Sequence, residues 1–141
     1  MNTAEKIRLM IDEWGSAVKD KDVDRLMMLY APDVVVYDVP PPLQQKGADA
    51  HRLNFEKWFA GMPGLTTSAI RDLRIVAGEN IAFAHCLNHI SNAPPDGKTA
   101  VDNWVRVTVC FEKIGGEWKV THEHLSLPID ESGKGASNLK P

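Results

Sequence analysis

The chain has 141 residues, with 16 Lys+Arg against 19 Asp+Glu, a formal net charge of −3, 43% hydrophobic and 25% charged residues. These are the proportions of one globular domain with a core of its own. The acidic balance, with no Lys/Arg stripe, argues against a nucleic-acid binder, and no apolar run approaches the ~20 residues that span a bilayer.

The opening segment MNTAEKIRLMIDEW mixes charges into its apolar positions, so it is not expected to be a signal peptide. Residues 3–20 predict an amphipathic helix. Ile7, Met10, Ile11, Trp14 and Val18 follow the i, i+3, i+4, i+7 pattern, and Asn2 or Thr3 can cap it. A break at KDKD leads to a short second helix capped by Asp22 and closed by Ala31-Pro32. DVVVYDV is a strand by its β-branched density, and PPPL stops it at an irregular rim. Residues 47–60 predict a third helix with His51, Phe55, Trp58 and Phe59 near one face. GMPGL then breaks the chain.

After that the period changes. Residues 66–76, 80–92, 99–112 and 117–127 read as four strands joined by short turn-rich links that suit antiparallel hairpins. Helices first and strands after them is the α+β pattern, helices on one face of an antiparallel sheet. The tail from 129 to 141 is polar and Gly/Ser-rich and is expected to be flexible. Cys86 and Cys110 lie in apolar strands, match no zinc spacing and are expected to be buried thiols of a cytoplasmic protein.

The stretch WKVTHEHLSLP, residues 118–128, puts titratable groups toward both faces of one strand. His122 and His124 have a spacing that could share a metal. A third ligand is needed, and neither Asp102 nor His89 can be placed there, so no metal is expected. Bonds that hold the sheet or a dimer are the better reading of the two histidines.

Four phrases carry a family likeness: LYAPDVVVYD (29–38), IAFAHCLNHIS (81–91), WVRVTVCFEKIGGEWKVTHEHLSLP (104–128) and the glycine that opens the third helix, Gly47. With the element order they resemble the nuclear transport factor 2-like superfamily, in its branch of SnoaL-like proteins and ketosteroid isomerase homologs. The resemblance covers residues 5–128 and makes 1–128 one domain. It implies a strongly curved, cone-shaped sheet around an internal pocket for a small organic molecule. It also implies a homodimer through the convex face of the sheet, and no cofactor.

The resemblance further makes Asp38 the general base of an enzyme that moves a proton beside a carbonyl. The alternative for Asp38 is a strand-end cap on backbone N–H groups. It aligns Glu123 and Leu125, with Thr121, toward the pocket, and His122, His124 and Ser126 away from it. His85 aligns with a pocket position, as a proton shuttle near Glu123 or Asp38, or else as a hydrogen-bonded core residue. Arg106 and Thr108 share a strand face, and Arg106 can pair with Glu123 or with an acidic ligand. Phe55 and Trp58 are core or pocket wall. The helix-one oxyanion tyrosine of the isomerases appears here as Trp14, and their late-strand acid as Val107 or Thr108. Isomerase, cyclase or dehydratase chemistry is therefore expected ahead of steroid isomerisation. The rival is a non-catalytic binding or oligomerisation module.

Overall fold

The computed structural model describes residues 1–97, 101–136 and 138–141, and of Val101 the backbone alone. Helix α1 (Thr3–Asp20) starts at a capping box: the Asn2 side chain accepts from Glu5 N–H and the Glu5 carboxylate accepts from Asn2 N–H. Two donors that the first turn leaves open are thereby satisfied. Lys21 ends the helix in the left-handed conformation at φ 52°. Asp22 then caps α2 (Val23–Met27) through Arg25 N–H. The chain continues through β1 (Tyr30–Tyr37), the short β2 (Gln45–Lys46) and α3 (Ala48–Ala60). Gly47, at φ 93°, makes the turn between them and donates its N–H to Val34 O at 2.8 Å.

Four long strands follow: β3 (Leu65–Ala77), β4 (Ile81–Ala93), β5 (Val101–Ile114) and β6 (Glu117–Ser126). They pair in sequence as antiparallel hairpins. The expected beginning of the third at residues 99 and 100 lies outside the described residues. The sheet order is β2-β1-β6-β5-β4-β3. It corrects one expectation: β1 joins β6 in parallel, so the sheet is mixed rather than antiparallel throughout. Strands so far apart in sequence have no hairpin to fix their direction.

The inner face of the sheet packs against the helices. Ile7 and Val18 of α1, Leu26 of α2, Val34 and Val36 of β1, Phe55 of α3 and Phe111 of β5 form one buried cluster. Burying each of these side chains stabilises the fold by roughly 1.5–3 kcal/mol.

A bulge in β6 settles which residues face inward. Cys110 pairs with His122, but the next residue, Phe111, pairs with Val120. Thr121 is therefore the extra residue, and its hydroxyl donates to Cys110 O at 3.5 Å. The bulge changes the parity, so buried Val120 before it and buried Glu123 after it both face inward. His122 and His124 face out. There His122 Nδ1 meets Val35 O at 2.7 Å, and the Tyr37 ring lies edge-on to both imidazoles. A strand with polar groups on both faces thus supplies a core acid on one side and the lock between β1 and β6 on the other. Beyond it, residues 128–136 turn back on themselves: the Asp130 carboxylate accepts from Ser132 and Lys134 N–H, and Ile129 bridges Gly135.

Candidate functional site

Glu123 is a carboxylic acid at the floor of an apolar cleft. It is 6% exposed, on the inner face of β6. Tyr30, at the start of β1 and 4% exposed, donates its hydroxyl to Glu123 Oε1 at 2.6 Å. Trp14 of α1 in turn donates its indole N–H to the Tyr30 oxygen at 3.0 Å. The Tyr30 proton is therefore committed to the carboxyl group. The other oxygen, Oε2, faces His51 of α3, whose Nε2 is 3.8 Å away, too far for a hydrogen bond. His51 is 3% exposed, and neither of its ring nitrogens has a partner.

Burial sets the protonation of all three groups. It raises Glu123 to about 7, an effect that the Tyr30 bond opposes and the Asp38 charge reinforces. It lowers His51 to about 4, so the ring is neutral at physiological pH. It pushes Tyr30 far up, helped by the Glu123 charge, so the phenol keeps its proton. Glu123 alone of the three changes charge near neutral pH.

The cleft has a volume of about 480 Å3. Trp14, Phe55, Trp58, Val105 and Leu125 form its apolar wall, and Asp38, Asn54 and Lys57 lie toward its mouth. The Trp14 and Trp58 rings stack with centroids 6.5 Å apart. A smaller inner chamber of about 60 Å3, lined by Met10, Ile11, Cys86 and Val107, shares Trp14, Glu123 and Leu125 with it. Asp38 combines both arrangements set out for it. It lines the cleft, yet one oxygen accepts from Val39 N–H at 2.7 Å and the other from Asn54 Nδ2 at 3.1 Å.

The structure brings together Trp14, Asp38, Phe55, Trp58, Glu123 and Leu125. His85, Arg106 and Thr108 are not among them and need correction. Ala84 is buried inward, so His85 beside it points outward, and the same alternation turns Arg106 and Thr108 away from buried Val105. All three line a separate groove on the outer face with His124 and Ser126. Arg106 does not pair with Glu123: its Nε donates to Ser126 Oγ at 3.1 Å. Tyr30 and His51 were missed as site residues, because each reads as an ordinary core position of its segment. Among the described residues no group of three His, Cys, Asp or Glu could hold a metal ion.

A buried acid beneath an aromatic cleft on this topology can be compared with known proteins. The model of the SnoaL-like domain matches residues 7–130. The chain belongs to the SnoaL-like family. Among solved structures, this SnoaL-like chain is similar to a nuclear transport factor 2-like protein of unknown function from Pseudomonas putida. The two share 34% identity and a TM-score of 0.89 over 98% of this chain and 96% of the other. It shares its fold with a proposed dehydratase of the same superfamily from Streptomyces avermitilis, at 18% identity and TM-score 0.78 over 89% of this chain and 96% of that one. The CaMKII hub of S. rosetta is also similar in fold, at 20% identity and TM-score 0.71 over 89% and 97%. The comparison with the curated proteins gave no match. No helix of the described residues is long and apolar enough to cross a membrane.

Proposed function

We propose that this SnoaL-like protein binds a small organic molecule in the cleft and moves a proton on the carbon next to its carbonyl. The observation that carries the reading is Glu123, a buried carboxyl raised to about 7. A group poised near neutral pH gives and takes protons efficiently. In its protonated form Glu123 donates to the substrate oxygen, and Asp38, as carboxylate, takes the proton from carbon. The enol forms, and the reverse transfers return the proton to the same or a neighbouring carbon. Two carboxyl groups line one cleft, an arrangement that suits an acid and a base. The dehydratase proposed on the same fold supports chemistry of this kind.

The test needs no knowledge of the natural substrate. Proton transfer beside a carbonyl exchanges that proton for deuterium in heavy water, which NMR follows over a panel of cyclic and aryl ketones. Exchange by the wild type, and its loss by about a hundredfold or more in Asp38→Asn, is expected. Binding without exchange in every ketone defeats the catalytic reading and leaves a binding module.

Self-association through the outer face of the sheet belongs to the same reading. Val76, Ile81 and Phe83 stand 37%, 67% and 42% exposed there, apolar surface that a second copy would cover. A hub occurs among the fold neighbours. The two cysteines stand as free thiols, which supports a cytoplasmic location. Sedimentation is expected to give twice the chain mass of 15.6 kDa, and Phe83→Glu to give the single chain. A wild-type monomer at micromolar concentration sinks the dimer.

A further inference from the structure

The outer face of the sheet gathers cations around one groove. Thr108 of β5 pairs with His85 of β4 on one side and with His124 of β6 on the other, so the three side chains form a row across the sheet. Arg106 stands two residues along β5 from Thr108, on the same face. These four exposed residues line a groove of about 490 Å3 with Ser126 and Asp72. Asp72 is the one acid among the described lining residues, and its carboxylate lies 4.0 Å from Arg71 Nε. Arg71 and Arg74 of β3 pair with Leu87 and His85, which puts their side chains on this face too. Arg106 gives its Nε to Ser126 Oγ, and among the described residues its Nη1 and Nη2 have no partner. The His124 ring meets only the edge of Tyr37.

We infer that this groove seats the tetrahedral oxyanion of a phosphate group, and that two copies of the chain share the bound anion across the outer face. The site is separate from the cleft, and the sharing rests on the reading that a second copy covers this face. A guanidinium presents a planar fork that matches two oxygens of a phosphate, and its N–H bonds to an anion are among the strong ones. The unspent edge of Arg106 supplies that fork. The Thr108 hydroxyl lies beside it, and the His85 and His124 rings stand one strand spacing, about 4.8 Å, to either side as further donors. A two-fold interface sets the same patch of both copies together. The exposed apolar residues Val76, Ile81 and Phe83 favour that contact. The arginines opposes it, because Arg74 is two residues from Val76 and each cation would meet its like on the other copy. A phosphate held between the two sets of cations replaces this repulsion by attraction.

Sedimentation with inorganic phosphate at low millimolar concentration tests the sharing directly. Ionic strength is held constant with sodium chloride, so general screening does not change. Phosphate is expected to tighten the dimer about tenfold or more, the effect of one charge-assisted hydrogen bond. Arg106→Gln should abolish that gain. Arg106→Lys, which keeps the charge without the fork, should retain part of it, and Thr108→Val should weaken it. Lys6→Gln, which removes an exposed cation of α1, should leave it intact. Calorimetric titration should show phosphate binding with the same dependence on Arg106. Phenyl phosphate separates the two sources of the anion: tighter binding than inorganic phosphate assigns the groove to the end of an organic phosphate, and equal or weaker binding to the free ion. A dimer equally tight in phosphate and in chloride overturns the inference and leaves the outer-face dimer standing. A gain that survives in Arg106→Gln, or that Lys6→Gln abolishes as well, overturns it as a general salt effect. Phosphate bound with no change in the dimer overturns it too. A wild type that stays monomeric with and without phosphate defeats the dimer and the shared anion together.

Discussion

Glu123→Gln should cut deuterium exchange by about 10²–10⁴-fold, the usual cost of losing a positioned acid or base, and should also make the protein more stable above neutral pH. Glutamine keeps the shape, and its amide oxygen still accepts the Tyr30 hydroxyl that bonds Glu123 Oε1 in the wild type. It cannot hold or release the proton. The stability effect follows from linkage. Folded Glu123 titrates at about 7 against the ordinary 4.5 of a glutamate in water, so between these pH values the folded state binds more protons than the unfolded chain. Stability contributed by this residue therefore falls as pH rises through that window and stays low above it. The displacement from 4.5 to about 7 corresponds to about 3 kcal/mol. Thermal melts should show Glu123→Gln near wild type at the acid end and clearly more stable above pH 7. Wild-type exchange should itself decline above pH 7 as Glu123 loses its proton. A stability difference that is the same at both ends of the range would refute the buried acid.

Much of the fold was legible because its signals are local. The capping box at Asn2, the Asp22 cap, Gly47 and the turn-rich links each depend on a few adjacent residues. What was not legible depends on partners distant in sequence. The parallel entry of β1 beside β6 unites residues about 90 apart, such as Tyr30 and Val120. The same division runs through the site. Trp14, Phe55 and Trp58 stand on helices whose periodicity gave their inward face. Asp38 and Glu123 came with the resemblance to SnoaL-like and ketosteroid isomerase-like proteins.

His85 came to the pocket with the resemblance, and Arg106 and Thr108 as cross-strand neighbours of residues 121–125; the strand faces overrule both. A strand has two faces and their order along the chain is strict, so residues paired across strands share a face. The row His85, Thr108, His124 is continuous across β4, β5 and β6, and it lies wholly outside. Tyr30 and His51 show a different limit. Each is polar yet sits where the apolar period requires a core residue. Only the structure reveals that the Tyr30 hydroxyl is spent on Glu123, while the His51 nitrogens have no partner.

His51 should produce an acid-sensitive arm that Glu123 conceals in the wild type. Its folded-state value of about 4 lies below the ordinary 6.5, so in this interval the unfolded chain binds more protons than the folded one. Stability from this residue is complete above 6.5 and is lost as pH falls toward 4. The displacement from 6.5 to about 4 is again about 3 kcal/mol. Glu123 acts with the opposite sign over nearly the same interval, because protonation relieves its burial. The two contributions oppose each other, and the pair's part of the wild-type pH profile is nearly flat from about 4.5 to 6.5. Removing one partner uncovers the other. Glu123→Gln should lose about 3 kcal/mol on acidification across this window. His51→Leu should gain stability over the same change, and the double variant should be flat again. The residues are neighbours, so the cycle will carry a coupling on the order of 0.5–3 kcal/mol, but the signs of the two slopes are independent of it. Urea unfolding of the four proteins at several pH values reads those slopes directly. Parallel profiles for the wild type and Glu123→Gln would show that the two buried groups do not titrate against each other at the floor of the cleft.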